Sequence, residues 1–208
     1  MGASCNFPTT TGLHQSAEPL GKNKIQASLG VNALRPVEDK GSWNEQVDLP
    51  RIRFGLTEQM DWGFGGSFFG LLDGDGGPWT FNTEVKYAFL PNKNGLRLAL
   101  LGGLGVVFAP GRQLQSSLGI HIGGIASFAL GAWRPYLGFK WNTVALLTGD
   151  FLITHFIIPA VGVEYVNGHF FASAEIHSYI NPIATEKGGI DWFTMFGFGA
   201  QIGVRFSL

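Results

Sequence analysis

From Lys24 onward, apolar residues alternate with polar or small ones in ten separate stretches. A strand sends successive side chains to opposite faces, so this period of two predicts strands with one apolar face each. They span about residues 24–34, 49–57, 61–70, 79–89, 96–108, 116–128, 135–145, 152–165 and 169–180, and the tenth runs from about Trp192 to the end. The fourth is the cleanest, with Trp79, Phe81, Val85, Tyr87 and Phe89 set against Thr80, Asn82, Glu84, Lys86 and Ala88. In the eighth, Pro159 has no N–H for a ladder, which predicts a bend or bulge there.

The connections alternate in length. "EQM", "PNKNG", "LGAWR" and "VNGH" are short, whereas "RPVEDKGSWNEQVD", "LLDGDGGP" and "NPIATEKGGID" are longer. Short turns on one rim and longer loops on the other characterise transmembrane barrels. The expected fold is therefore all-β: a closed, antiparallel, up-and-down transmembrane β-barrel of about ten strands, over residues 24–208. Eight or twelve strands would follow if the third or seventh is miscounted. Residues 1–23, rich in Thr, Gly, Ser, Asn and Pro, show no period and read as an unstructured or barrel-associated segment.

Composition agrees with a membrane setting. Charged residues make up 14% of the chain, against about 25% in soluble domains. A helical span needs about 20 apolar residues, and the best run, Leu98–Ala109, is shorter and broken by Gly102, Gly103 and Gly105. Only a closed barrel could then cross a bilayer with its backbone satisfied. The net charge of -1, without a Lys/Arg cluster, argues against nucleic acid. Cys5 is the single cysteine, so no disulfide forms within the chain. Gly2-Ala3-Ser4-Cys5 looks like the end of a bacterial lipoprotein signal, making Cys5 a weak lipidation candidate. The usual Leu is replaced by Gly2, and an unmodified Cys is the plainer reading.

The placement of charge orients the faces. The strand bases Arg51, Arg53, Lys86, Arg97, Lys140 and Arg205 and the strand acids Glu84, Glu164 and Glu175 all oppose the bulky apolar residues, and share their face with glycines. With His121 and His177 they are expected to form a network in a crowded lumen. A soluble barrel would instead cover its outside with Lys and Glu. Trp62, Trp79, Tyr87, Phe89, Phe108, Trp141, Tyr165, Phe170 and Trp192 fall near strand ends on the apolar face, as interfacial girdles do.

With its terminal strand "FGFGAQIGVRFSL", the chain resembles the small bacterial outer-membrane β-barrel proteins, over nearly its whole length after Lys24. Many members end on Phe; here Leu208 is last and Phe206 stands two before it. The resemblance implies residence in the bacterial outer membrane, among its lipid and lipopolysaccharide. It implies architecture and no particular role.

Three roles are open. The favoured one is a structural anchor or subunit of an envelope complex, partnered by an envelope protein, with its lumen closed by paired Arg, Lys and Glu. The second is a narrow channel leaning towards anions, since six strand bases face three strand acids. The third is a lipid A-modifying enzyme, with Glu175 and His177 as weak catalytic candidates. Lipid A deacylases present His and Ser on one face; here His177 and Ser178 are adjacent and point oppositely, leaving Ser173 as the same-face serine. Asp150 and His155 form a still weaker pair resembling that of the barrel proteases. Asp73 and Asp75 in "DGDGG" lack the Glu of a calcium loop and read as a turn. "GGLGVVFAPG" lies in a strand with no helix after it, so it is not a phosphate loop. No cofactor or metal site is read from the sequence.

Overall fold

The computed structural model describes residues 12–37, 44–69, 77–89, 95–109, 115–147, 153–184 and 190–208. Ten strands follow in order: β1 (Lys24–Pro36), β2 (Asn44–Gly55), β3 (Met60–Phe69), β4 (Trp79–Ala88), β5 (Leu96–Ala109), β6 (Gln115–Phe128), β7 (Trp133–Leu146), β8 (Ile153–Asn167), β9 (Phe170–Ala184) and β10 (Ile190–Ser207). Each pairs antiparallel with its neighbours in the chain, and β1 closes on β10 from Lys24↔Ser207 to Pro36↔Met195. The result is a closed up-and-down barrel with no free edge.

Two expectations need correction. The ladder extends into stretches read as long loops: β2 already starts at Asn44, β9 runs to Ala184 and β10 starts at Ile190. Polar residues there, such as Gln46 and Asp48, look into the lumen rather than into water. The bulge also lies elsewhere. Pairing of β8 with β9 is interrupted between Ile157↔Ile180 and Ala160↔His177, yet the register is the same on both sides of Pro159. The extra residue sits in β2 at Leu49–Pro50, where the register shifts against both β1 and β3. Pro50 withholds its N–H there, and a bulge is one of the places a sheet tolerates that.

The barrel is the inverse of a soluble protein. Leu29, Val31, Leu100, Leu104, Ile120, Ile122, Val161 and Ile202 each expose more than half of their surface outward. Lys86, Lys140, Glu84, Glu164, Glu175, His121 and His177 are buried inside. An outward apolar band with a polar interior is the arrangement of a membrane-spanning barrel. Trp62, Tyr87, Phe89, Trp133, Tyr165 and Phe170 mark the short-turn rim and Trp79 and Phe108 the other, whereas Trp141, expected near a strand end, lies mid-strand opposite Ile122. Trp133 packs on Tyr165 with ring centres 4.8 Å apart. The side chain of Trp192 lies outside the described residues. On the outer face, Trp62 Nε1 donates to Thr83 Oγ1 at 2.7 Å and Trp141 Nε1 to Thr143 Oγ1 at 3.2 Å. Such bonds matter where no water can replace them.

A closed barrel of this kind is expected to stay folded in SDS until boiled. Unboiled and boiled samples should therefore run at different apparent masses; identical migration would contradict the closed fold.

Candidate functional site in the lumen

The amino-terminal segment enters the barrel from the short-turn rim. A turn at Gly21 and Asn23, whose φ angles of 86° and 59° lie in the left-handed region, reverses the chain between the segment and β1. Residues Gly12 to Ala17 and Leu20 are buried in the lumen. The fit is close: a Cβ on Gly199 in β10 would lie 2.1 Å from the His14 ring. Only glycine leaves the ring its place there.

The segment's backbone has left regular structure, so its polar groups need partners from the wall. The Leu20 amide donates to Asp61 Oδ1 at 2.9 Å. Lys86 Nζ donates to the carbonyls of Ser16 and Glu18 at 3.2 and 2.5 Å. The Ala17 amide reaches Ser127 Oγ, and Lys140 Nζ reaches the Gly12 carbonyl. The amides of Leu13 and His14 donate to the two oxygens of Glu175 at 2.9 and 2.7 Å. Side chains do likewise. Gln15 donates to Glu84 Oε1 and Ser16 to Glu164 Oε2, both at 2.6 Å, while Glu18 pairs with Arg97 and Arg134.

Around this segment the wall charges form paired clusters. Glu84 gathers Arg51 (2.9 Å), Lys140 (2.8 Å) and His121 (3.2 Å). Asp61 joins Arg53 (2.6 Å) and Lys86 (3.2 Å), and Glu164 joins Arg205 (2.5 Å). His177 Nδ1 stands 3.2 Å from Glu175 Oε1. Every lumen residue expected from the sequence is in one of these clusters or, for Arg97, bound to Glu18. Three charged wall residues were not anticipated. Asp48 follows the opposite phase from Arg51 because of the bulge, Asp61 sits at the first turn-side residues of β3, and Arg134 does so in β7.

Nearer the long loops the lumen turns apolar. Leu34, Phe69, Val144, Phe156, Ile158 and Tyr179 pack together there, with Met195 against them. The segment itself is held by ion clusters and by a second apolar cluster, in which Leu13 and Ala17 pack with Ala88, Leu101, Ile125 and Tyr136.

The enzyme candidates are placed as follows. Glu175, His177 and Ser173 share the lumen face, while Ser178 is on the other. Both oxygens of Glu175 are occupied by the segment's amides, and Tyr136 also donates to Oε2 at 2.9 Å. His155 is bonded to Thr143 beside Trp141, on the outer face. Cys5, Asp73, Asp75 and Asp150 lie outside the described residues.

No protein-family model and no curated protein sequence matches the chain. Solved barrels do. The outer membrane protease OmpT from Escherichia coli is 13% identical with a TM-score of 0.46, over 93% of this chain and 100% of that one. The N-terminal barrel domain of Pseudomonas aeruginosa OprF is 14% identical at 0.41, over 89% and 99%. The translocator domain of the autotransporter NalP from Neisseria meningitidis is 8% identical at 0.49, over 89% and 88%. These likenesses assign no activity. The barrel's own outward apolar surface and closed meander have the architecture of a transmembrane β-barrel.

Proposed function

We propose that this protein is a closed, non-conducting barrel that serves as a structural anchor or subunit of an envelope complex. One observation carries the reading: residues 12–20 occupy the lumen and are bonded to wall residues on β1, β3, β4, β5, β6, β7, β8 and β9. A transport path would have to break these bonds and part the apolar layer beyond them. Catalysis at Glu175 is disfavoured by the same contacts, which take up the carboxylate a general base would need free. The outer girdles fit a lipid and lipopolysaccharide surround, and an envelope protein is the partner such a barrel would position.

In planar bilayers the full chain is expected to give no stepwise conductance under moderate voltage. Regular steps, with or without anion preference, would overturn the reading in favour of a channel. Incubation with lipopolysaccharide should leave the lipid A mass unchanged; loss of an acyl chain would overturn it in favour of the enzyme.

A further inference from the structure

We propose that His14, Glu175 and His177 form a binding site for a divalent transition-metal ion with affinity for imidazole, Zn2+ in the first instance, which ties the inserted segment to β9. The inference is independent of whether the barrel conducts. One ring nitrogen of each histidine and one carboxylate oxygen of Glu175 lie within 4.8 Å of one another, and all three residues are buried.

The polar bookkeeping around the cluster points to a missing occupant. A carboxylate offers about four acceptor positions. The amides of Leu13 and His14 and the Tyr136 hydroxyl take three, leaving one on Oε1. That oxygen lies 3.2 Å from His177 Nδ1, yet the two lack the alignment of a hydrogen bond. His177, only 1% exposed, faces Glu175 with Nδ1 and has no hydrogen-bond partner on Nε2. A buried imidazole with a ring nitrogen left unpaired is costly.

The His14 ring is held ready in a complementary way. Its Nε2 bonds Asn32 Oδ1 at 2.8 Å, and Asn32 Nδ2 in turn donates to Asp48. Because Asn32 Oδ1 only accepts, His14 Nε2 carries the proton and the lone pair falls on Nδ1, which has no partner. A ligating histidine commonly has its other N–H fixed by an acceptor in this way. Two imidazoles and one carboxylate, with a further position left for water, suit Zn2+ at about 2.0–2.2 Å. Mg2+ and Ca2+ prefer all-oxygen sites.

The full-length barrel in detergent, titrated with Zn2+ against a chromophoric chelator, is expected to bind one ion, without competition from Mg2+ or Ca2+. Loaded with Cu2+ instead, it should show an electron paramagnetic resonance spectrum coupled to two nitrogen nuclei. His14→Ala and His177→Ala should each weaken Zn2+ binding by about tenfold or more, whereas the outward or rim variants His155→Ala and His169→Ala should retain it. The proposal fails if the wild type binds no ion, if binding survives both lumen variants, or if it is lost with His155 or His169. Should a lumen variant fail to fold, the copper spectrum of the His155→Ala/His169→Ala double variant decides: two coupled nitrogens support the site, one or none overturns it.

Discussion

Replacing Glu84 by glutamine should destabilise the folded barrel by about 3–5 kcal/mol, the cost typical of removing one partner from a buried ion cluster. Glutamine keeps the size of the side chain and one acceptor oxygen. It removes the charge that Arg51, Lys140 and His121 share, at 2.9, 2.8 and 3.2 Å, in a place almost closed to water. Arg51 and Lys140 then lose the carboxylate closest to them. The bond from Gln15 Nε2 to Glu84 Oε1 is weakened as well, so the inserted segment loses one of its attachments. Guanidinium unfolding of the detergent-folded barrel, followed by tryptophan fluorescence, would report the change. Glu58→Gln, on the exposed turn after β2, is the matched control and should shift stability by less than about 0.5 kcal/mol. A Glu84 variant as stable as that control would mean the ion clusters do not hold the lumen together.

Ile122→Arg tests the outer surface with comparable force. Ile122 exposes 62% of its surface and lies in the middle of β6, opposite Gly102 on β5 and Trp141 on β7. An arginine on the lipid face near the bilayer midplane costs about 2–4 kcal/mol. On a water-facing strand the same change would be close to neutral. Folding into lipid vesicles, read from the unboiled band on a gel, should therefore be strongly reduced for Ile122→Arg and kept for Ile122→Leu. Equal folding of both variants would contradict a lipid-facing exterior.

Much of this was legible in the sequence because a barrel wall is built from local repetition. Each strand's facing is set by its own alternation, so Arg53, Lys86, Lys140, Glu164 and Glu175 could be assigned to the lumen without knowing their partners. Closure of β1 on β10 followed from the run of alternation up to Phe206. The failures have equally specific causes. Asp48 was missed because it falls in a stretch read as a loop, and the extra residue at Leu49–Pro50 gives it the opposite phase from Arg51. Pro159 does interrupt the β8–β9 ladder, but without inserting a residue, so no bulge forms there. Phe156 and Ile158 face inward because an apolar layer lies under the long loops, and lumen apolar residues break the simple code of grease outside and polarity inside. The path of residues 12–20 had no periodic signal at all. Their positions are fixed by bonds to partners as distant in the chain as Glu175, 162 residues from Leu13. Signs of it existed only in retrospect, in the small wall residues Gly199 and Gly138 that make room for His14 and Leu13.

The inserted segment also bears on how the wall resists shear. Two neighbouring strands that slip by two residues keep every side chain on its proper side, so facing alone does not forbid the movement. In a barrel, any such slip changes strand tilt and girth around the whole ring. Here the segment grips eight of the ten strands at fixed heights, from Asp61 near one rim to Glu175 halfway up. A two-residue slip of any of those eight would carry its partner atom several ångströms along the axis and tear the bonds. The filled interior is thus a mandrel that fixes the dimensions of the cylinder wrapped around it.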